Sequence, residues 1–430
     1  MKSTIHRSTA PLHGRLDVPG DKSISHRALL FGALADGESR IDGLLRSGDC
    51  MATRRALESL GVSILDTSDD TVLVRGAGLR GLRAASGPVD CGRSGTGMRL
   101  LAGILAGQRF ASELSGDPQL LARPMRRIVE PLRRMGANID DTDGRAPLHI
   151  APASLRGMEH RLTVASAQVK SALLLAGLVA DGETTVIESG PARDHTERML
   201  AAMGAEIRVE GAAITLRPPQ GLKAGAFRVP ADISSAAFPL VAALLIPESE
   251  VRLAGVGLNP TRTGLLDVLR EMGGRIEVED ERTEGGEPVG DLTVYGSSLK
   301  GVSIGGDTVV RMIDEFPVLA VAATQASGKT TVSGAAELRV KETDRIGSIV
   351  AELTALGAHV DEHPDGFTVH GPTPLRGGEV ESYADHRMAM ALSVAGLVAC
   401  DDVTIRQAEC ADDSYPGFME QMRGLGVADG

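Results

Sequence analysis

Apolar positions along the chain fall into two patterns that take turns. The first is an Ala- and Leu-rich helical run with polar residues at its start and a small-residue turn after it. It occurs as KSISHRALLFGALADG, SGTGMRLLAGILAG, SAQVKSALLLAGLVADG, DISSAAFPLVAALL, DEFPVLAVAATQASG and DHRMAMALSVAGLVACDD. The second pattern is Leu-x-x-Leu/Met-Gly followed by a β-branched position: LESLGVSI (Gly61), LRRMGANI (Gly136), LAAMGAEI (Gly204), LREMGGRI (Gly273) and LTALGAHV (Gly357), with a truncated MRGLGV at Gly426. Each reads as a helix closed by a glycine just past its end and followed by a strand. Short alternating runs such as TVLVRG, LTVYG and FTVHG supply further strands.

Interleaved, the two patterns give a β-α-β-α-β-β unit present six times, so the fold class is α/β with two similar domains of three units each. The sixth copy stops before its last strands, and the N-terminal run HGRLDV (His13 to Val18) is expected to supply one of them. This divides the chain into domain A, residues 1–20 plus 229–430, and domain B, residues 21–228, with crossings near Pro19-Gly20 and Val229-Pro230. An ordinary doubly wound sheet would not repeat at this regularity.

Composition changes the picture in two respects. Apolar residues make up 42% of the 430 positions but aromatics only 2%, with no Trp, so the core must be built from Ala, Leu, Val and Ile. The formal net charge of −12 argues against a nucleic-acid or anionic membrane surface as partner. An anionic small molecule remains possible if cations gather locally. The four cysteines (Cys50, Cys91, Cys400, Cys410) show no C-x-x-C pair and no zinc-like spacing, which fits a reducing compartment. The start MKSTIHRSTAPLHG has no apolar signal core, and the longest apolar stretch, Ala172 to Ala180, is too short to span a bilayer. A cytoplasmic protein, monomeric by default, is the expectation.

The cations gather at the starts of the apolar helices. Lys22 and Ser23 open the first, Ser94-Gly95-Thr96 the second and Ser166-Ala167-Gln168 the third. Asp232 and Ser234 open the fourth, Asp314 the fifth and Asp385-His386-Arg387 the sixth. Helix N-termini expose unpaired N–H groups and a partial positive charge, so several converging on one cleft would trap an anion. Capping accounts for Ser and Asp at such positions. It does not account for Lys22, Gln168 or Arg387. Ser23 and Arg27, Ser166 and Lys170, and Lys341 and Arg345 each lie four apart and share a helical face. Of the arginines in ARPMRRIVEPLRRMG, Arg123 stands apart, at the mouth of the segment before a Pro that can start a helix. Asp314 could be a cap and Glu342 an ion-pair partner of Arg345; either could move a proton if tuned.

GDKSISHR, SGTGMR, LLARPMR, SAQVKSALLLAG, RDHTERM, IDEFP, RVKETDR and DHRMAMA together resemble, in order, the motifs of the 5-enolpyruvylshikimate-3-phosphate synthase family. GDKS, SAQVK, RDHTE and NPTR (Asn259 to Arg262) resemble its class II branch. The resemblance implies the six-repeat enolpyruvyl transferase fold with its active site in the interdomain cleft. It implies shikimate 3-phosphate and phosphoenolpyruvate as small-molecule substrates and no metal or organic cofactor. Shikimate 3-phosphate would be held by Lys22, Ser23, Arg27, Ser166, Ala167, Gln168, Arg193, Asp314 and Lys341. Phosphoenolpyruvate would be held by Lys22, Gly95, Arg123, Gln168, Arg345 and Arg387. Asp314 would act as base, and Glu342 with Lys22 would deliver the proton. Arg93, where the family usually has Asn, and Asp413, where many members have a Lys, depart from the pattern. Some class II members carry Ala at Gly95, so Gly95 is expected to leave room for the inhibitor glyphosate. The rivals are a UDP-N-acetylglucosamine enolpyruvyl transferase and a non-catalytic six-repeat binding protein. The first is disfavoured by SGDPQLLARP, which lacks that enzyme's loop Cys, and the second by the presence of Lys22, Asp314 and Glu342.

Overall fold

The computed structural model describes residues 1–427. The chain divides into two compact units. One comprises Met1–Pro19, Ala231–Arg282 and Pro288 onward; the other comprises Gly20–Pro230 with Thr283–Glu287. The five-residue tip, expected in the first unit, clusters with the second, where Glu287 bonds His195 at 2.8 Å. Among the described residues no helix is long and apolar enough to cross a membrane.

In the second unit three four-stranded sheets share one pairing rule. Glu38–Asp42 runs parallel to Ala226–Arg228 and antiparallel to Val72–Arg75, which in turn pairs antiparallel with Ser63–Asp66. The same order, one parallel pair then two antiparallel ones, joins Val89–Asp90, Ser112–Ser115, Arg145–Ala151 and Asn138–Thr142. It recurs in Glu159–Arg161, Thr184–Ile187, Ala213–Arg217 and Glu206–Glu210. Inside lie the helices Lys22–Leu34, Gly95–Leu105 and Ala167–Gly177, whose all-round apolar sequences leave Leu29, Leu101 and Leu174 fully buried.

The first unit repeats the rule, with one correction to the expected strand order. His13–Leu16 runs parallel to the strand Glu250–Gly257, in the fourth repeat, rather than completing the sixth. The sixth is completed by Lys2–Ile5, antiparallel to Val403–Arg406. KSTI offers a single apolar residue, the buried Ile5, so it carries no alternation by which a strand could be recognised. The helices Ile233–Leu245, Phe316–Gln325 and His386–Val398 fill this unit's interior.

The Leu-x-x-Leu/Met-Gly motif has its expected cause. Gly61, Gly136, Gly204, Gly273, Gly357 and Gly426 all have positive φ, from 88° to 105°, where a side chain would be strained.

A second use of glycine sets helix spacing. At Gly103 a Cβ would lie 2.2 Å from the carbonyl oxygen of Ala172, so the helices Gly95–Leu105 and Ala167–Gly177 pack backbone to backbone. Gly103→Val is therefore expected to cost about 1–3 kcal/mol or more, read as a lowered denaturant midpoint. An unchanged midpoint would show that the helices can part without cost.

Candidate functional site

In the second unit the site is built on helix starts that other residues have already capped. Asp21 Oδ1 accepts from the Ile24 N–H at 2.8 Å, which leaves Lys22 and Ser23 at the first helical positions without capping duty. Lys22 Nζ lies 3.5 Å from Asp49. Arg27 is buried one turn on. It donates to Thr196 Oγ1 and Ser171 Oγ at 2.8 Å and to the Ser23 carbonyl at 2.9 Å. Burial pulls its guanidinium down to about 10, against the opposing charges of Glu197 and Asp21, so it stays protonated at neutral pH. Arg193 Nη1 donates to Ser23 Oγ at 3.5 Å.

The helix Ala167–Gly177 contributes the next group. Ser166 is its cap, accepting from the Val169 N–H at 3.5 Å. Gln168 Oε1 accepts from Arg99 at 2.6 Å, and its amide donates to Thr96 Oγ1 at 3.0 Å. A Cβ on Gly95 would sit 3.0 Å from Arg99 Nη1 and 3.1 Å from Arg123 Nη1. Gly95, Thr96, Arg99, Arg123 and Gln168 therefore form one cluster. Arg99 escaped the sequence reading although it lies four residues after Gly95, on the same helical face.

Other expectations are corrected. Lys170 does not present its charge beside Ser166. It is fully buried, its Nζ 2.6 Å from Glu197 and 2.8 Å from Glu188, and it ties its helix to the segment that carries Arg193. Pro124 does not start a helix either. The helix is Arg126–Arg134 with Met125 at its cap, and Pro124 bridges to Arg145. Arg126, Arg127, Arg133 and Arg134 are exposed and Arg123 is half-buried. Arg93 is exposed and donates to Gln119.

In the first unit the charges are organised around Arg345, which opens the helix Arg345–Ala355 and is buried. It donates to Asp385 at 2.8 Å, to Glu342 at 2.8 Å and to Asp314 at 3.3 Å. Burial opposes its charge, but Asp385, Glu342 and Asp314 outweigh burial and hold it above the usual arginine range. Asp314 also lies 3.6 Å from Arg387 and 3.9 Å from Lys341. It is not the cap of the helix Phe316–Gln325, since Glu315 holds that position. Glu315 instead accepts from Ser234 Oγ, which also accepts from the buried Arg262 at 2.7 Å. Asp385 caps its own helix, accepting from the Arg387 N–H at 2.9 Å. Asp413 ends the 3₁₀ helix Ala408–Asp413, half-buried.

The two clusters differ in what they can do. Arg27 bonds only neutral oxygens, so its charge is available to an anion. Around Arg345, carboxylates and cations alternate, an arrangement suited to holding a reacting hydroxyl and moving its proton.

Residues 6–422 match the model of the family described as EPSP synthase (3-phosphoshikimate 1-carboxyvinyltransferase). The chain is 52% identical over 425 residues to the 3-phosphoshikimate 1-carboxyvinyltransferase of Herpetosiphon aurantiacus, covering 98% of each chain. It is 50% identical over 420 residues to that of Geobacter metallireducens, covering 97% of this chain and 98% of the relative. Among solved structures it is similar to EPSP synthase from Acinetobacter baumannii, with a TM-score of 0.92 and 44% identity over 99% of this chain and 98% of the other.

Within the helix Lys22–Leu34, His26 is fully buried against Thr53 Oγ1 at 2.8 Å. Burial lowers it to about 4, and His160 likewise, so both are neutral at pH 7. The unfolded chain binds these protons first, so the contribution of these two histidines to stability is constant above about pH 6.5 and is lost as pH falls towards 4. Each histidine contributes up to roughly 3 kcal/mol of that loss. His26→Gln is expected to remove one proton's share of the slope in denaturation between pH 6.5 and 4; an unchanged slope would exclude His26 as its source.

Proposed function

The chain belongs to the EPSP synthase (3-phosphoshikimate 1-carboxyvinyltransferase) family, and from that premise we propose how its two residue clusters divide the reaction. The protein transfers the enolpyruvyl group of phosphoenolpyruvate to the 5-hydroxyl of shikimate 3-phosphate and releases phosphate, a step of aromatic amino-acid biosynthesis. The observation that carries the assignment of roles is Asp314, a carboxylate held within 3.9 Å of Lys341, Arg345 and Arg387.

Ser23, Arg27, Ser166, Ala167, Gln168 and Arg193 bind shikimate 3-phosphate, with Lys22 and Lys341. Arg27 and Arg193 meet its anionic groups as charge-assisted donors, in bonds roughly twice as strong as neutral ones. Gly95, Arg123, Gln168, Arg345 and Arg387, with Lys22, bind phosphoenolpyruvate. Arg99 joins this set by its bond to Gln168. Asp314, also in contact with shikimate 3-phosphate, takes the proton from the 5-hydroxyl as its oxygen attacks C2 of phosphoenolpyruvate. The methylene carbon receives a proton from Glu342 or Lys22, making C2 electrophilic. The tetrahedral adduct then loses phosphate and a methyl proton to restore the double bond. Two anions that repel one another are held for reaction by fixed cations and helix dipoles, which need no reorganisation as charge shifts. The working form is a monomer in the cytoplasm.

Asp314→Ala is expected to leave binding largely intact and to cut kcat on the order of a hundredfold or more, measured as phosphate release from the two substrates. A near-native rate would remove Asp314 from the mechanism. Arg193→Ala is expected to raise KM for shikimate 3-phosphate more than for phosphoenolpyruvate, and equal effects would break that assignment.

A further inference from the structure

Away from both clusters, the hairpin His359–His363 and Gly366–Gly371 places metal-ligating side chains on its outer face. The antiparallel register sets His359 opposite His370 and Asp361 opposite Thr368. With a period of two, Val360 and Val369 point to the core, while His359, Asp361 and His370 share the other face. The His359 and His370 rings stack at 4.1 Å with their planes 10° apart. Both aim Nε2 at one carboxylate: His370 Nε2 lies 2.6 Å from Asp361 Oδ2, and His359 Nε2 lies 3.6 Å from Oδ1. One donor atom from each of the three residues falls within 4.8 Å of the others.

From this convergence we propose that His359, Asp361 and His370 form a surface site for a divalent transition-metal cation such as Zn²⁺ or Ni²⁺. Bonds of about 2.0–2.2 Å to imidazole nitrogen and carboxylate oxygen put neighbouring ligands roughly 3–4 Å apart, so an ion would replace the 2.6 Å hydrogen bond between His370 and Asp361 and turn the two rings out of their stack. Two imidazoles and one carboxylate favour such ions over Mg²⁺ or Ca²⁺, which take oxygen ligands. A surface His–Asp pair alone is worth at most about 1 kcal/mol and gives no reason for a second imidazole to face the same carboxylate. With three protein ligands and an exposed position, the remaining coordination sites belong to water.

The test is calorimetric titration of the full chain, stripped with chelator, using NiCl₂ and ZnCl₂, with MgCl₂ as control. One saturable transition-metal site is expected, together with a metal-dependent rise in Tm. His370→Ala and His359→Gln should each weaken binding by at least tenfold, while His149→Ala and Cys400→Ser leave it unchanged. Turnover should be the same in all four variants, since none touches the reacting groups. Circular dichroism checks that each variant is folded, and the exposed His359→Gln stands in should His370→Ala not fold. Absence of saturable binding to the folded chain overturns the proposal. So does an affinity in the His359 and His370 variants unchanged from that of the unsubstituted chain, or a loss that follows Cys400→Ser instead.

Discussion

Arg345 is charged and buried, and a buried charge is tolerated only when opposite charge surrounds it. That constraint orders the first unit's cluster. Asp385, Glu342 and Asp314 turn towards one guanidinium because each lowers the cost of keeping it from water. Arg387 and Lys341 then add positive charge beside Asp314. In the proposed reaction, a hydroxyl reaching Asp314 would meet a carboxylate whose geometry is set before it arrives, which is how preorganisation lowers a barrier. Removing the positive centre would leave three carboxylates crowded together, so no one of these residues has a role separable from the rest.

The second unit solves the same problem in another way. Arg27 is as deeply buried, yet its direct partners are the hydroxyls of Thr196 and Ser171 and the carbonyl of Ser23. Carboxylates stand one step back: Glu197 and Glu188 hold Lys170, which pins the helix behind the site. Hydrogen bonding to neutral oxygens fixes the direction of the guanidinium without cancelling its charge. An anionic ligand can do so instead. The contrast between direct carboxylate partners and neutral ones is the physical basis for proposing a proton-handling role for one cluster and an anion-holding role for the other.

Both clusters sit at helix starts, and these helices must be buried to their first turn. The near absence of aromatics makes this possible: Ala and Gly along the helix faces let backbones meet, as at Gly103 and Ala172. Bulkier cores would hold the helices further apart, and the bond from Gln168 to Thr96 would no longer reach.

The sequence by itself determined the repeat, the closing glycines, the apolar helices and most of the residues at their starts. These are local consequences of period, of left-handed backbone and of helix polarity. It also marked Asp314 and Glu342 as candidates, though it left open whether they cap, pair or react. Tertiary structure decided the rest because partners far apart in sequence leave no local trace. Lys170 shares a helical face with Ser166 by spacing and is a buried tie, since Glu188 and Glu197 reach it only in the fold. Arg99 gained its place through Gln168 on another helix, and KSTI became a strand because Val403–Arg406 was there to pair with it. Asp314 was left off the cap because Glu315 took that position while reaching Ser234, and that freed its carboxylate for three cations. Period and propensity act over a few residues; charge compensation acts across the fold.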